Sequence, residues 1–177
     1  SSAASDVYKR QYIAQPWADT KKRYDQEETK QVYYFSIEFL PGRLLQSNLL
    51  NLGILDAVEA GLHALDLHPQ KIFDAEADPG LGNGGLGRLA SAFMDAMASV
   101  GMAGNGNGIR YQYGLFKQAF VNGYQVELPD DWMRNGFPWE TRKENRAVTI
   151  KFGGWVELKP SRSGNLRVIY HQTDDVL

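Results

Sequence analysis

Between Asp78 and Leu89 the chain reads DPGLGNGGLGRL, and no other stretch restricts its fold so strongly. Gly80, Gly82, Gly84, Gly85 and Gly87 leave the backbone N–H groups unshielded, because no Cβ stands beside them. Directly afterwards Leu89, Phe93, Met94, Met97 and Val100 recur at helical spacing, which predicts a helix to about Val100. Ala90, Ala92, Ala96 and Ala98 flank that stripe, so the helix is expected to be internal and tightly packed. A glycine loop running straight into a helix sets the free first-turn amides and the positive dipole end against the loop. That junction is a ready site for an anion or a sugar; a purely structural tight turn is the alternative.

Two overlapping stretches, Gly80 to Gly85 and Gly82 to Gly87, fit G-x-G-x-x-G. A dinucleotide fold needs such glycines right after its first strand and an acid about 20 residues further on. Here an acidic loop precedes them, and residues 101–108 offer only Asn105 and Asn107. A P-loop requires Lys-Ser/Thr where Arg88-Leu89 stands.

The rest of the chain reads as α/β. Residues 1–31 are polar and predict a surface helix plus linker, without the pattern of a signal peptide at Ser1 to Ser5. Val32 to Leu40 (VYYFSIEFL) predicts a largely buried strand, stopped by Pro41-Gly42. Leu45, Leu49 and Leu52 predict a helix that Gly53 interrupts, and Ile54, Val58, Leu62 and Leu65 predict a second one. Residues 71–79 read as an acidic loop, so 32–104 holds a strand, helices and the glycine loop. Residues 105–177 read as β-rich. Gly108 to Tyr113 predicts a strand, and Leu115 to Val121 and Tyr124 to Leu128 flank the hairpin signal Asn122-Gly123. Val148 to Phe152 and Trp155 to Lys159 flank Gly153-Gly154 as a second hairpin, and Leu166 to His171 is a last strand.

Glu38 is a carboxylate inside an apolar strand, a costly placement unless it is paired or used. Arg43 and Arg88 are the candidate counterions. Asp130 and Asp131 could join Glu38 as a glycosidase carboxylate pair, against plain solvation of a loop. His63 and His68 are not on one helical face, and no metal site is expected. Arg142, Lys143, Arg146, Lys151, Lys159, Arg162 and Arg167 face only Glu144 and Glu157, which suits either phosphate contact or the wet faces of hairpins. The formal charge of −2 excludes a dedicated nucleic-acid binder, and the absence of cysteine excludes thiolate chemistry. No apolar run is long enough for a membrane span.

Taken together, VYYFSIEFLPGRLLQSNLLNLG, DPGLGNGGLGRLASAFMDAMASVG, GIRYQYGLFKQ and LPDDW-RNGFPWE resemble the N-terminal region of the α-glucan phosphorylases of glycogen, starch and maltodextrin. The resemblance runs from about Trp17 to Glu140. It implies part of the N-terminal Rossmann-like domain of a GT-B glycosyltransferase, with residues 1–177 all in that domain and the catalytic C-terminal domain outside this chain. The implied reaction is phosphorolysis of terminal α-1,4-glucosidic bonds to glucose 1-phosphate, with α-1,4-glucan and inorganic phosphate as partners and pyridoxal phosphate as cofactor.

Carried over residue by residue, Gly84 and Gly85 match the glycines beside the cofactor and substrate phosphates, with the Gly85 amide as a donor. Leu86 matches the residue whose amide borders the glucosyl unit, and Arg88 the next basic residue on the helix. Glu38 matches a cleft-organising carboxylate. The cofactor lysine of the family has no counterpart here. A cytoplasmic homodimer is implied for the longer protein. Asp25 stands where animal members carry an effector-site tyrosine, and Asn105 and Asn107 replace aromatic residues, so control by AMP or phosphorylation is not implied. With Leu177 just after a strand, the chain alone is expected to expose sheet edge and apolar surface, to self-associate, and to hold neither cofactor nor substrate tightly.

Overall fold

Four of the helices stop in the same way, with one residue in left-handed backbone and two backbone hydrogen bonds or one closing the last turn. The computed structural model describes the backbone of residues 2–161 and 163–176, and side chains within that span from Tyr12 onward. Ser1, Arg162 and Leu177 lie outside the described residues, so the reading of the basic run does not extend to Arg162. Helix α1 (Ser2–Gln26) is followed by α2 (Leu45–Asn51), α3 (Leu55–Ala64), α4 (Pro69–Asp74) and α5 (Gly85–Ser99). Glu28, Gly53, Asp66 and Gly101 carry the positive φ angles that end α1, α2, α3 and α5. In each case the next amide reaches back five residues: Thr29 to Tyr24, Ile54 to Leu49, Leu67 to Leu62, and Met102 to Met97.

The strands are β1 (Gln31–Phe35), β2 (Ala103–Asn107), β3 (Phe116–Val121), β4 (Tyr124–Pro129), β5 (Ile150–Phe152), β6 (Trp155–Pro160), β7 (Leu166–His171) and β8 (Asp174–Val176). The chain divides into two compact units, 1–138 and 139–177.

In the first unit β1 and β2 run parallel, Gln31 opposite Ala103 and Phe35 opposite Asn107, with α2 to α5 between them in sequence. Helix α5 lies on β2. A Cβ on Gly104 would stand 3.1 Å from the Met97 sulfur, and one on Gly106 would stand 3.2 Å from the Phe39 ring. Phe73, Ala90, Ala103, Trp132 and Pro79 form the buried core, with Ser91 beside them. Among the described residues the Ser91 hydroxyl is buried without a hydrogen-bond partner. As expected, β3 and β4 form a hairpin, closing Val121 against Tyr124 around Asn122-Gly123.

Several sequence expectations are corrected here. The strand from Val32 ends at Phe35, because the amides of Phe39 and Leu40 bond the glycine loop instead of a ladder partner. It is not largely buried: Val32 and Tyr34 face inward, whereas Tyr33 and Phe35 are exposed. Residues 71–79 are not all loop, since Pro69 starts α4 and Phe73 anchors it in the core. Helix α5 is buried on one side only, through Gly87, Ala90 and Ser91, and Leu89, Phe93 and Val100 of the expected core stripe are exposed. Gly108 to Tyr113 is no strand; the parallel strand lies earlier, at Ala103–Asn107. At Gly108 the backbone is pressed against the Phe39 ring, where a Cβ would stand 2.9 Å away.

In the second unit Gly153-Gly154 does not turn a hairpin. Strand β5 pairs with β8 and β6 with β7, both antiparallel. Phe152 lies opposite Asp174 and Trp155 opposite His171, so the register carries across the break without a slip. Both ladders are therefore one long hairpin, closed beyond Pro160 and Leu166 by the Ser161 amide donating to the Asn165 carbonyl, and kinked where Gly153 and Gly154 face Gln172 and Thr173. Gly153, Gly154 and Gln172 all have positive φ, which takes them out of the strand conformation and breaks the ladder there. Trp155 stacks on the His171 ring at 4.1 Å, and His171 Nε2 lies 3.0 Å from a Glu157 carboxylate oxygen. The bases of this segment pair locally where partners are described: Arg142 with Glu144, Lys151 with Asp175, and Lys159 with Glu157.

Candidate functional site

The glycine loop is held against the segment that follows β1. The Phe39 amide donates to the Leu81 carbonyl at 2.8 Å and the Leu40 amide to the Gly87 carbonyl at 2.9 Å. These two bonds bracket the loop, and between them the Asn83 amide lies 3.4 Å from Glu38 Oε2. The approach is close enough to need glycine. A Cβ on Gly82 would stand 2.9 Å from the Phe39 carbonyl, and one on Gly87 would stand 3.2 Å from the Glu38 Cβ.

Gly84 and Gly85 differ. Beyond their own chain neighbours and helix backbone, nothing among the described residues lies within 4 Å of a Cβ built on either, so packing does not demand glycine there. Gly84 takes the N-cap position of α5 and, being glycine, gives the helix no side-chain cap. The leading amides of α5 thus sit at an open, uncapped helix N-terminus whose dipole favours negative charge. Glycine at Gly82 and Gly87 lets the chain approach itself, whereas at Gly84 and Gly85 it leaves the backbone open.

Glu38 is half-buried next to this end of α5, and its neighbours answer the question of its counterion. Arg43 pairs with Asp74 at 2.6 Å, and Arg88 directs Nη1 to the Leu40 carbonyl at 3.4 Å. The buried salt bridge considered for Glu38 is therefore not made with either arginine. Leu86 and Leu89 stand exposed on the first turns of α5. The structure thus brings Glu38, Gly84, Gly85, Leu86 and Arg88 to one end of one helix. Asp131 is tied to Arg134 within its own turn at 2.9 Å, the arrangement of a solvated loop acid. Among the described residues, no group of three His, Cys, Asp or Glu side chains could hold a metal, and His63 and His68 lie apart at the end of α3 and the start of α4.

Sequence reasoning missed two neighbours of the site. The indole of Trp132 is buried and donates to the Tyr111 carbonyl at 3.1 Å, and the Tyr111 hydroxyl donates to the Ile37 carbonyl at 2.9 Å. A large aromatic residue directly after two loop acids was the available signal.

Comparison with known proteins places this sequence in a family. The carbohydrate phosphorylase family model matches residues 62–177. The chain is 47% identical to glycogen phosphorylase of Bacillus subtilis over 97% of its own length and 22% of that protein. It is 48% identical to glycogen phosphorylase of Chlamydia pneumoniae over 82% of this chain and 18% of that one. It is 44% identical to the brain form of glycogen phosphorylase of Bos taurus over 85% of this chain and 18% of the relative. The chain thus spans about a fifth of the length of these relatives. No described helix is long and apolar enough to cross a membrane. A mixed α/β chain whose sequence matches the family model over residues 62–177 and these relatives over most of its own length belongs to the carbohydrate phosphorylase family.

Proposed function

We propose that this chain is the N-terminal part of a cytoplasmic, homodimeric α-1,4-glucan phosphorylase. It supplies the phosphate and glucosyl loop of a Rossmann-like domain in a GT-B enzyme, and residues 1–177 all belong to that domain. The enzyme cleaves the terminal α-1,4 bond of glycogen, starch or maltodextrin with inorganic phosphate and releases glucose 1-phosphate. The observation that carries the reading is the open helix start: Gly84 and Gly85 are free of packing demands, and the N-cap Gly84 gives α5 no side-chain cap. An uncapped helix N-terminus of bare backbone suits a phosphate oxygen, because fixed amides hold charge without reorganising.

Each residue then has a role. The Gly85 amide donates to a phosphate oxygen, with Gly84 beside it. The Leu86 amide borders the glucosyl unit, and Arg88 adds positive charge on the same helix. Glu38 organises the loop by facing the Asn83 amide rather than by moving a proton. The same donor set fits the phosphate group of pyridoxal phosphate, which would be held near Gly84 and Gly85. When bound, that cofactor supplies a phosphate that assists proton transfer to the substrate phosphate.

The test is an assay of the full-length protein for glucose 1-phosphate release from maltoheptaose and phosphate. Release that depends on both substrates supports the reading, and no release from cofactor-loaded protein overturns it.

A further inference from the structure

We propose that Trp132 and Tyr111 form a positioning relay that sets the separation between the glycine loop and the Glu38 segment. The inference deepens the function proposed above and rests on it only for its kinetic consequence.

The relay touches both walls of the site. On one side the Trp132 indole fills the space beside Gly80, where a Cβ would stand 2.6 Å from its Cδ1 and 2.7 Å from its Nε1. Gly80 is the first residue of the loop, and it is buried with Pro79. On the other side the indole N–H donates to the Tyr111 carbonyl, and the Tyr111 hydroxyl reaches the carbonyl of Ile37, the residue before Glu38. The indole is itself fixed, meeting Phe137 edge to face at 4.9 Å.

Two hydrogen bonds in series thus connect the base of the loop to the start of the Glu38–Leu40 segment. Beyond them lie the direct contacts of Phe39 with Leu81, Leu40 with Gly87, and Asn83 with Glu38. Those contacts close properly only if both walls are held at the right height. Simple core packing would account for the buried indole, but not for a tyrosine hydroxyl spent on the carbonyl beside Glu38. Neither residue reaches the open α5 amides, so both act through the loop and segment they hold.

The experiment uses the full-length protein with Tyr111→Phe, Trp132→Phe and the double variant. Tyr111→Phe keeps the ring and removes only the donor to Ile37, so the fold is retained. Amide hydrogen exchange is read at Phe39 and Leu40, with the last turn of α5 as an internal control. Each single variant is expected to speed exchange at Phe39 and Leu40 by about fivefold, the weight of one neutral hydrogen bond, and to leave the control amides alone. Because the bonds act in series, the double variant should exchange no faster than the faster single one. The KM for phosphate should rise by a similar factor of about five, with kcat and the KM for maltoheptaose within about twofold, the split expected when a binding site is displaced and the chemistry is not. Wild-type exchange at Phe39 and Leu40 in Tyr111→Phe overturns the relay, as do fully multiplicative effects in the double variant. If the wild-type protein has no phosphorolytic activity, the exchange data still decide the relay, and only the function proposed above fails.

Discussion

A Cβ on Gly87 would stand 3.2 Å from the Cβ of Glu38, so the glycine and the carboxylate occupy the same narrow seam. Gly82 is tighter still, with the Phe39 carbonyl 2.9 Å from any added Cβ. The obstacle there is backbone, which cannot swing aside. Gly82→Ala is therefore expected to cost about 1–3 kcal/mol of stability, the usual range for overpacking, read as a lowered urea midpoint. Gly85→Ala should have the opposite signature. With open space at its Cβ and a place in the first turn of α5, it should leave stability unchanged or raise it by up to about 1 kcal/mol, while weakening phosphate binding in the full-length protein. Equal stability losses in the two variants would show that both glycines serve packing alone.

Ser91 carries a buried hydroxyl that no described residue satisfies. Removing it should relieve a desolvation cost and improve helix propensity together. Ser91→Ala is expected to stabilise the protein by about 1 kcal/mol or slightly more, visible as a higher midpoint in thermal unfolding. A loss of stability would mean that the hydroxyl is bonded in solution.

Arg43 and Asp74 form an ion pair whose side chains are 44% and 55% exposed. Water and salt screen such a pair strongly. Arg43→Ala should cost less than about 1 kcal/mol, and the small loss should shrink further at high ionic strength. A larger, salt-insensitive loss would place Arg43 in a role that its contacts do not account for.

In the long hairpin, hydrogen bonds from Lys151 and then Thr173 hold the Asp175 carboxyl below its ordinary range, and the Lys151 charge adds to them. The folded-state value is depressed relative to the unfolded one. The stabilisation is therefore complete above the unfolded value and is lost as pH falls through the folded value. Fraying of β5 from β8 should appear only in acid, below the usual carboxylate range. Carboxyl-carbon NMR of Asp175 would show it, and Lys151→Gln should move the titration upward.

Gly154 sits where a Cβ would run into the backbone of His171 and Gln172, whereas a Cβ on Gly153 meets nothing within 4 Å. Both have positive φ, so both alanine variants carry a conformational penalty of about 1–2 kcal/mol. Only Gly154→Ala adds a collision with the facing strand. It should abolish the cross-strand NMR contact between Phe152 and Asp174, and Gly153→Ala should retain it.

The parts of the fold legible in sequence were those written in local chemistry. Asn122-Gly123 announced its hairpin, Gly53 marked the end of α2, and Leu89 to Val100 announced α5. Strand β2 was not legible, because Ala-Gly-Asn-Gly-Asn has almost no strand propensity. Its glycines are there for Met97, Met94 and Phe39, a tertiary reason that no local window contains. The kink at Gly153-Gly154 misled for a related cause. Two glycines at positive φ suit a tight turn and a bent strand equally, and only the distant pairing with 172–173 distinguishes them. At the site, the loop and Glu38 could be picked out, but their mutual hydrogen bonds could not, since the Asn83 amide and Glu38 are 45 residues apart in the chain.

That separation also governs how the molecule assembles. The hairpin from Ile150 to Val176 joins neighbours in sequence, so it can close within microseconds of its turn forming, on the order of 1–10 μs for hairpins in general. Strand β1 has no such partner at hand. Gln31 waits for Ala103, with four helices to be made in between, and loop-closure entropy is spent before the pairing returns anything. On a ribosome, the tyrosines and phenylalanine of β1 leave the exit tunnel long before β2 does. The strand leading to Glu38 therefore stays unpaired through more of the chain's emergence than the strands of that hairpin do.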